Sequence, residues 1–204
     1  MLELFERGGI MMYPLLLASL IALAFTIERA IALRKRKILV PEIISVVNNF
    51  SSLKDIDLAK NICIKYSGPL SNIILMGLDN YELAKSDMHE LLENQGRQEI
   101  RTLQKGLGVL ETIASISPLM GLLGTVLGMI QVFAVIQDQG IGQTAALSGG
   151  ISQALVTTVV GLFIGIPTLI AYNYFSGRAE NFILDIEKYA NVLIQKINKI
   201  KANG

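Results

Sequence analysis

Three long apolar runs alternate with polar stretches along the chain. The first covers residues 10–33 (IMMYPLLLASLIALAFTIERAIAL). The second covers residues 107–136 with Glu111 as its only charge, and the third covers residues 151–175 with none. About 20 apolar residues in helical form cross a bilayer core, and all three runs reach that length. The pattern predicts an all-α polytopic membrane protein: a first span at 10–33, a second at 107–136 and a third at 151–175. The first run is expected to stay as an anchor. No basic segment precedes it, whereas a basic cluster follows it.

The connecting stretch 34–106 reads as helical and polar. Pro41 and Pro69 each sit where a helix can begin. PEIISVVNNF and DIDLAKNICIKY are short apolar-periodic segments, and a third runs from Pro69 to about Leu83. From Asp87 the spacing predicts one long helix that passes Gly106 and Gly108 and enters the membrane as the second span. In the last segment, 176–204, Phe182, Ile186, Tyr189, Ala190, Leu193, Ile197 and Ile200 fall on one helical face. That stripe must be hidden, and packing against helices of its own or a neighbouring subunit fits better than lying on lipid. The polar side is not strongly basic, as surface-binding helices usually are.

Charge fixes an orientation. Eleven Lys and Arg lie in residues 34–106, beginning with Arg34, Lys35, Arg36 and Lys37; five follow the third span, and residues 137–150 hold none. The positive-inside rule puts the long loop and the tail in the cytoplasm, with residues 1–9 and the 137–150 loop outside. The net charge of +1 gives no reason to expect a nucleic-acid partner. Cys63 and His89 each stand alone, so neither a disulfide framework nor a metal site is implied. No nucleophile–base pair, metal-ligand spacing or phosphate loop is present, and no enzyme or cofactor is predicted.

Helical projection of the second span puts Ala114, Ser117, Gly121, Thr125 and Gly128 in one arc with Gly124 at its edge. Leu119, Leu122, Leu123, Val126, Leu127 and Ile130 lie opposite. In the third span Ala154, Thr158, Gly161 and Gly165 share a face, flanked by Thr157 and Gln153 and extended by Thr168 and Tyr172. Such faces suit close helix packing. They equally suit a polar lining, because an amide and several hydroxyls in hydrocarbon need protein or water around them. Pro118 and Pro167 are expected to kink their helices and free the carbonyls of Ala114 and Phe163. Mid-span there is no Asp, Glu, His, Lys or Arg. If an ion crosses here, another chain must supply the titrating group.

The segments SPLMGLLGTVLGM (117–129), GISQALVTTVVGLFIGIP (150–167) and the following YNYF resemble the MotA/TolQ/ExbB proton-channel family. PLLLASLIALAFTIERAIAL resembles the first span of its ExbB branch. The resemblance implies a homo-oligomer, a pentamer, enclosing two helices of an ExbD- or TolR-like single-span partner. That partner's membrane aspartate would carry the proton beside the threonines matching Thr125 and Thr158. It implies proton-motive-force-driven energising of a TonB-like protein in the bacterial inner membrane, among membrane lipid, for outer-membrane nutrient import. Many ExbB and TolQ proteins have glutamate where this chain has Gln153, so only the position and polarity of that residue carry over. A TolQ-like envelope role, a gliding-type stator and a non-conducting membrane scaffold are the alternatives.

Overall fold

The computed structural model describes residues 8–140 and 144–203, and every element among them is helical. In chain order these are α1 (Met12–Ala32), α2 (Lys35–Ile38), α3 (Pro41–Asn49), a 3-10 turn at Leu53–Asp55, α4 (Ile56–Lys65), α5 (Pro69–Asp79), α6 (Lys85–Gln104), α7 (Leu107–Gln139) and α8 (Thr144–Asn203). Three of these, α1, α7 and α8, contain stretches long and apolar enough to cross a membrane. Of the predicted outer segments, residues 1–7 and 141–143 lie outside the described residues.

The chain divides into two compact units. One consists of Met1–Arg29 and Gly106–Tyr174, the other of Ala30–Lys105 and Phe175–Gly204.

The first unit is built inside out relative to a water-soluble protein. Large aliphatic side chains point outward, among them Leu20 and Leu23 of α1, Leu119 and Val126 of α7, and Val159 and Ile170 of α8. The buried positions of α7 and α8 include the small or hydroxyl-bearing Ala114, Ser117, Ala154, Thr157 and Thr168, with aliphatic Leu107, Leu110, Ile113 and Val132 buried towards the ends of α7. In a bilayer nothing drives aliphatic groups inward, so close backbone approach by small residues holds the helices together. Near the end of α1, Arg29 is buried and its guanidinium pairs with the adjacent Glu28 carboxylate.

The polar helix and the second span are separate helices, contrary to the continuous helix that the spacing predicts. Lys105 and Gly106 form a turn, with Gly106 in the left-handed region at φ +79. Glycine takes that conformation without a Cβ penalty. Space reinforces the choice, since a Cβ at Gly106 would stand 2.9 Å from the Phe25 ring.

The second unit has an ordinary aliphatic core. Ile43 and Val47 of α3, Leu70, Ile74 and Leu78 of α5, Met88 of α6, and Leu193 and Ile197 of α8 are buried in it. Gly77 lets α5 approach its neighbours, because a Cβ there would meet Leu193 at 2.9 Å and Leu92 at 3.4 Å. The apolar stripe of the tail is therefore covered by helices of its own chain. Two lysines on α8 lock this packing by donating to carbonyls at segment ends: Lys196 to Asn48 O, and Lys201 to Leu83 O at 2.8 Å. Glu99 is buried and accepts from Asn72 Nδ2 at 2.8 Å and Gln95 Nε2 at 3.1 Å.

Cys63 belongs to this core. Burial, helped by the Asp79 carboxylate, pushes its thiol up to about 11. Because the thiolate is the reactive form, the native protein at pH 8 holds about 100-fold less of it than a thiol at the ordinary 9.0. Alkylation by iodoacetamide should be slowed by at least that factor and restored by unfolding in detergent. Rapid labelling of folded protein would show that Cys63 is not packed as described.

Candidate ion-pathway site

The predicted small faces of α7 and α8 meet each other within the first unit. Successive turns of the two helices interlock through glycine. A Cβ on Gly161 would stand 2.6 Å from Ser117 O and 2.9 Å from Gly121 Cα. One on Gly121 would stand 2.9 Å from Thr157 O, and one on Gly128 would meet Ala154 Cβ at 2.9 Å. Gly124 leaves the notch that Thr157 fills, with Thr157 Oγ1 2.5 Å from where a Cβ would be. Gly150, which sequence reasoning did not single out, makes room for Val132 in the same way.

Two hydroxyls form the polar centre of this interface. Thr125 Oγ1 lies against Thr158 Oγ1 in a direct hydrogen bond. Thr125 Oγ1 also reaches Ala154 O on the facing helix at 3.0 Å, and Thr158 Oγ1 reaches Gly121 O at 3.2 Å. Each hydroxyl has one proton to donate, so two protons serve three acceptor positions. Either Thr125 donates to Thr158 and Thr158 to Gly121 O, or Thr158 donates to Thr125 and Thr125 to Ala154 O, with Gly121 O of its own helix a longer alternative at 3.4 Å. Rotating two hydroxyls exchanges these arrangements. Both side chains are half-buried, so the pair stands at the edge of the helix contact rather than inside it. Threonine does not titrate near neutral pH, so the pair can reorient and solvate but cannot carry a charge.

The other predicted residues fall into different roles. Thr157 is buried and donates back to its own helix, at Ala154 O (2.9 Å) or Gln153 O (3.1 Å), so it packs and does not join the pair. Gln153 is half-buried and its amide lies against Gly9, which adopts φ +66. Ser117 Oγ is fully buried and has no hydrogen-bond partner among the described residues. Pro118 and Pro167 both lie inside uninterrupted helices. The Pro118 ring fills the space above Gly165, where a Cβ would meet Pro118 Cγ at 2.7 Å and Ala114 O at 3.2 Å. That carbonyl is the one whose helical donor Pro118 lacks. The acceptor carbonyls of Gly121 and Ala154 were invisible to sequence reasoning, which sees side chains only.

Fold and site together define a membrane-embedded helical protein whose close-packed spans present an uncharged hydroxyl pair. Comparison with known proteins makes this specific. A model of the MotA/TolQ/ExbB proton channel family matches residues 66–188, and the chain belongs to that family. It is 31% identical over 187 residues to a biopolymer transport protein ExbB homolog of Methanothermobacter thermautotrophicus, covering 91% of this chain and 66% of that protein. It is 34% identical over 178 residues to the biopolymer transport protein ExbB-like 3 of Synechocystis sp., covering 82% and 81%. A shorter match, 41% over 86 residues, covers 42% of this chain and 37% of the Tol-Pal system protein TolQ of Pseudomonas aeruginosa. The chain thus spans slightly less than two thirds of the first relative and about four fifths of the second.

Proposed function

We propose that this chain is the stator subunit of a proton-driven membrane motor of the ExbB type. The observation that carries the reading is the Thr125–Thr158 pair: two hydroxyls bridging two spans that hold no Asp, Glu, His, Lys or Arg between Glu111 and Asp138 or between Thr144 and Gly177. Such a pair can solvate an acid in both its charged and neutral forms, so the acid must arrive on another chain. Five copies would enclose the single spans of an ExbD- or TolR-like partner, whose aspartate would be protonated on one side and released on the other. Each proton crossing 100 mV supplies about 2.3 kcal/mol, enough over repeated crossings to drive work on a TonB-like protein. Gln153, Ser117 and Thr157 would border this path as polar or packing neighbours. The positive-inside rule orients the complex in the inner membrane with the N-terminus outside and the C-terminus in the cytoplasm.

The TolQ match favours a second reading within the same class, an envelope-integrity motor with the same ion path and a different driven protein. Reconstitution tests the common core of both. Liposomes holding this chain alone should take up protons no faster than empty ones. Adding a single-span partner with a membrane aspartate should produce uptake that an Asp-to-Asn change in the partner abolishes. Equal uptake by the chain alone, or none by the complex, would sink the stator reading.

A further inference from the structure

We propose that the turn following the first span and the α4–α5 connection together form a binding site for a phosphate-bearing anion, the headgroup of an anionic phospholipid. Arg36, Lys37 and Lys65 line one open concavity of about 830 Å³ together with Tyr66 and Ser67, and Glu42 is the only acid among its lining residues. Two segments distant in sequence build it, and three contacts hold them in place. Ile38, Leu39 and Val40 are buried, which anchors the basic turn α2 to the second unit and leaves Arg36 and Lys37 exposed. Gly68 lies flat against that turn, since a Cβ there would stand 2.7 Å from Lys37 O. Ser71 donates to Tyr66 O and fixes the turn that carries Tyr66 and Ser67. Lys65 Nζ stands 5.4 Å from the centroid of the Tyr66 ring, which keeps the ammonium beside this wall.

The chemistry suits a phosphate diester. Arginine offers a planar fork that bonds two phosphate oxygens, lysines add compact charge, and the Ser67 and Tyr66 hydroxyls add neutral donors. The chain itself points to lipid as the source. Lys37 is five residues past Ala32, the last residue of α1, so at most about 18 Å of chain separates the site from the end of the span. Clusters of basic residues just cytoplasmic of a membrane helix attract anionic headgroups, each Lys or Arg contributing about fivefold in affinity. This one has a concave shape and a second wall, which a loose basic tail lacks. The inference stands apart from the stator reading, because none of these residues borders the hydroxyl pair.

The test titrates purified full-length chain in neutral detergent with short-chain phosphatidylglycerol, short-chain phosphatidylcholine and inorganic phosphate, counting bound molecules by native mass spectrometry. Phosphatidylglycerol should bind, and the Arg36→Gln/Lys37→Gln/Lys65→Gln variant should bind it about 100-fold more weakly. Lys65→Gln alone should lose about fivefold, which separates a two-walled site from a basic stretch and guards against misfolding of the triple variant. The control Lys54→Gln/Lys85→Gln/Lys199→Gln removes the same charge from exposed positions elsewhere and should change binding less than threefold. An equal loss in that control, or equal affinity for phosphatidylcholine, would overturn the site. Inorganic phosphate binding as tightly as phosphatidylglycerol would overturn the lipid assignment.

Discussion

Thr158→Val is expected to abolish gradient-driven proton uptake while leaving the oligomer and its thermal stability close to normal. Valine keeps the branched shape and removes the hydroxyl, which deletes the bond to Gly121 O and the pairing with Thr125. Gly121 O still accepts from its own helix, so no buried group is stranded. The loss in stability should stay near the 0.5–1.5 kcal/mol of a typical hydrogen bond. Function should suffer far more, because Thr125 alone has only carbonyls to donate to and no second hydroxyl to pass a proton to or accept one from. Uptake should fall at least tenfold and approach the rate of empty liposomes. Thr158→Ser restores the hydroxyl and should recover most of it. Proton uptake by the reconstituted complex, with native mass spectrometry of the assembly, checks both halves. A Thr158→Val protein that works at full rate would favour a scaffold that conducts nothing.

Which residues face inward was legible in the sequence, because period and residue size act together on a membrane helix. Ser117, Gly121 and Gly128 point into the helix contact, and Leu119, Leu122 and Ile130 point away. The tail stripe was equally legible: Leu193 and Ile197 are fully buried. Its cover was legible only in part: the weakly basic polar side pointed to helices rather than lipid, but not to whether they belong to this chain or a neighbouring subunit. The helix break at Gly106 escaped for a related reason. Two glycines in a helical pattern are ambiguous until a distant side chain decides, and here Phe25 occupies the space that a Cβ would need. The neighbouring threonines show where helical projection runs out. Thr157 and Thr158 differ by one step in angle, yet one fills the Gly124 notch and bonds its own helix while the other bridges to α7. Only the register of the two helices decides which threonine packs into its own helix contact and which bridges across, and a single sequence carries no register.

That register makes Gly161→Ala the second large effect. An added methyl group at this position would stand 2.6 Å from Ser117 O and 2.9 Å from Gly121 Cα, both backbone atoms that cannot rotate aside. The helices must separate by several tenths of an ångström, and overpacking of this kind costs about 1–3 kcal/mol. Alanine's better helix propensity returns only about 0.5–1 kcal/mol of that. Gly108→Ala is the matched control, since a Cβ there meets nothing within 4 Å; it should leave stability unchanged or slightly raised. The functional consequence follows from proximity. Thr158 lies less than one turn from Gly161, and its bond to Gly121 O is already 3.2 Å long. A small separation carries it beyond hydrogen-bonding distance. Gly161→Ala should therefore lower the melting temperature and reduce proton uptake at least tenfold, although it removes no polar group. Melting followed by circular dichroism, set beside uptake for the two glycine variants, measures this. If Gly161→Ala melts and conducts like the unmodified protein, close approach of α7 and α8 is not what holds the hydroxyl pair in place.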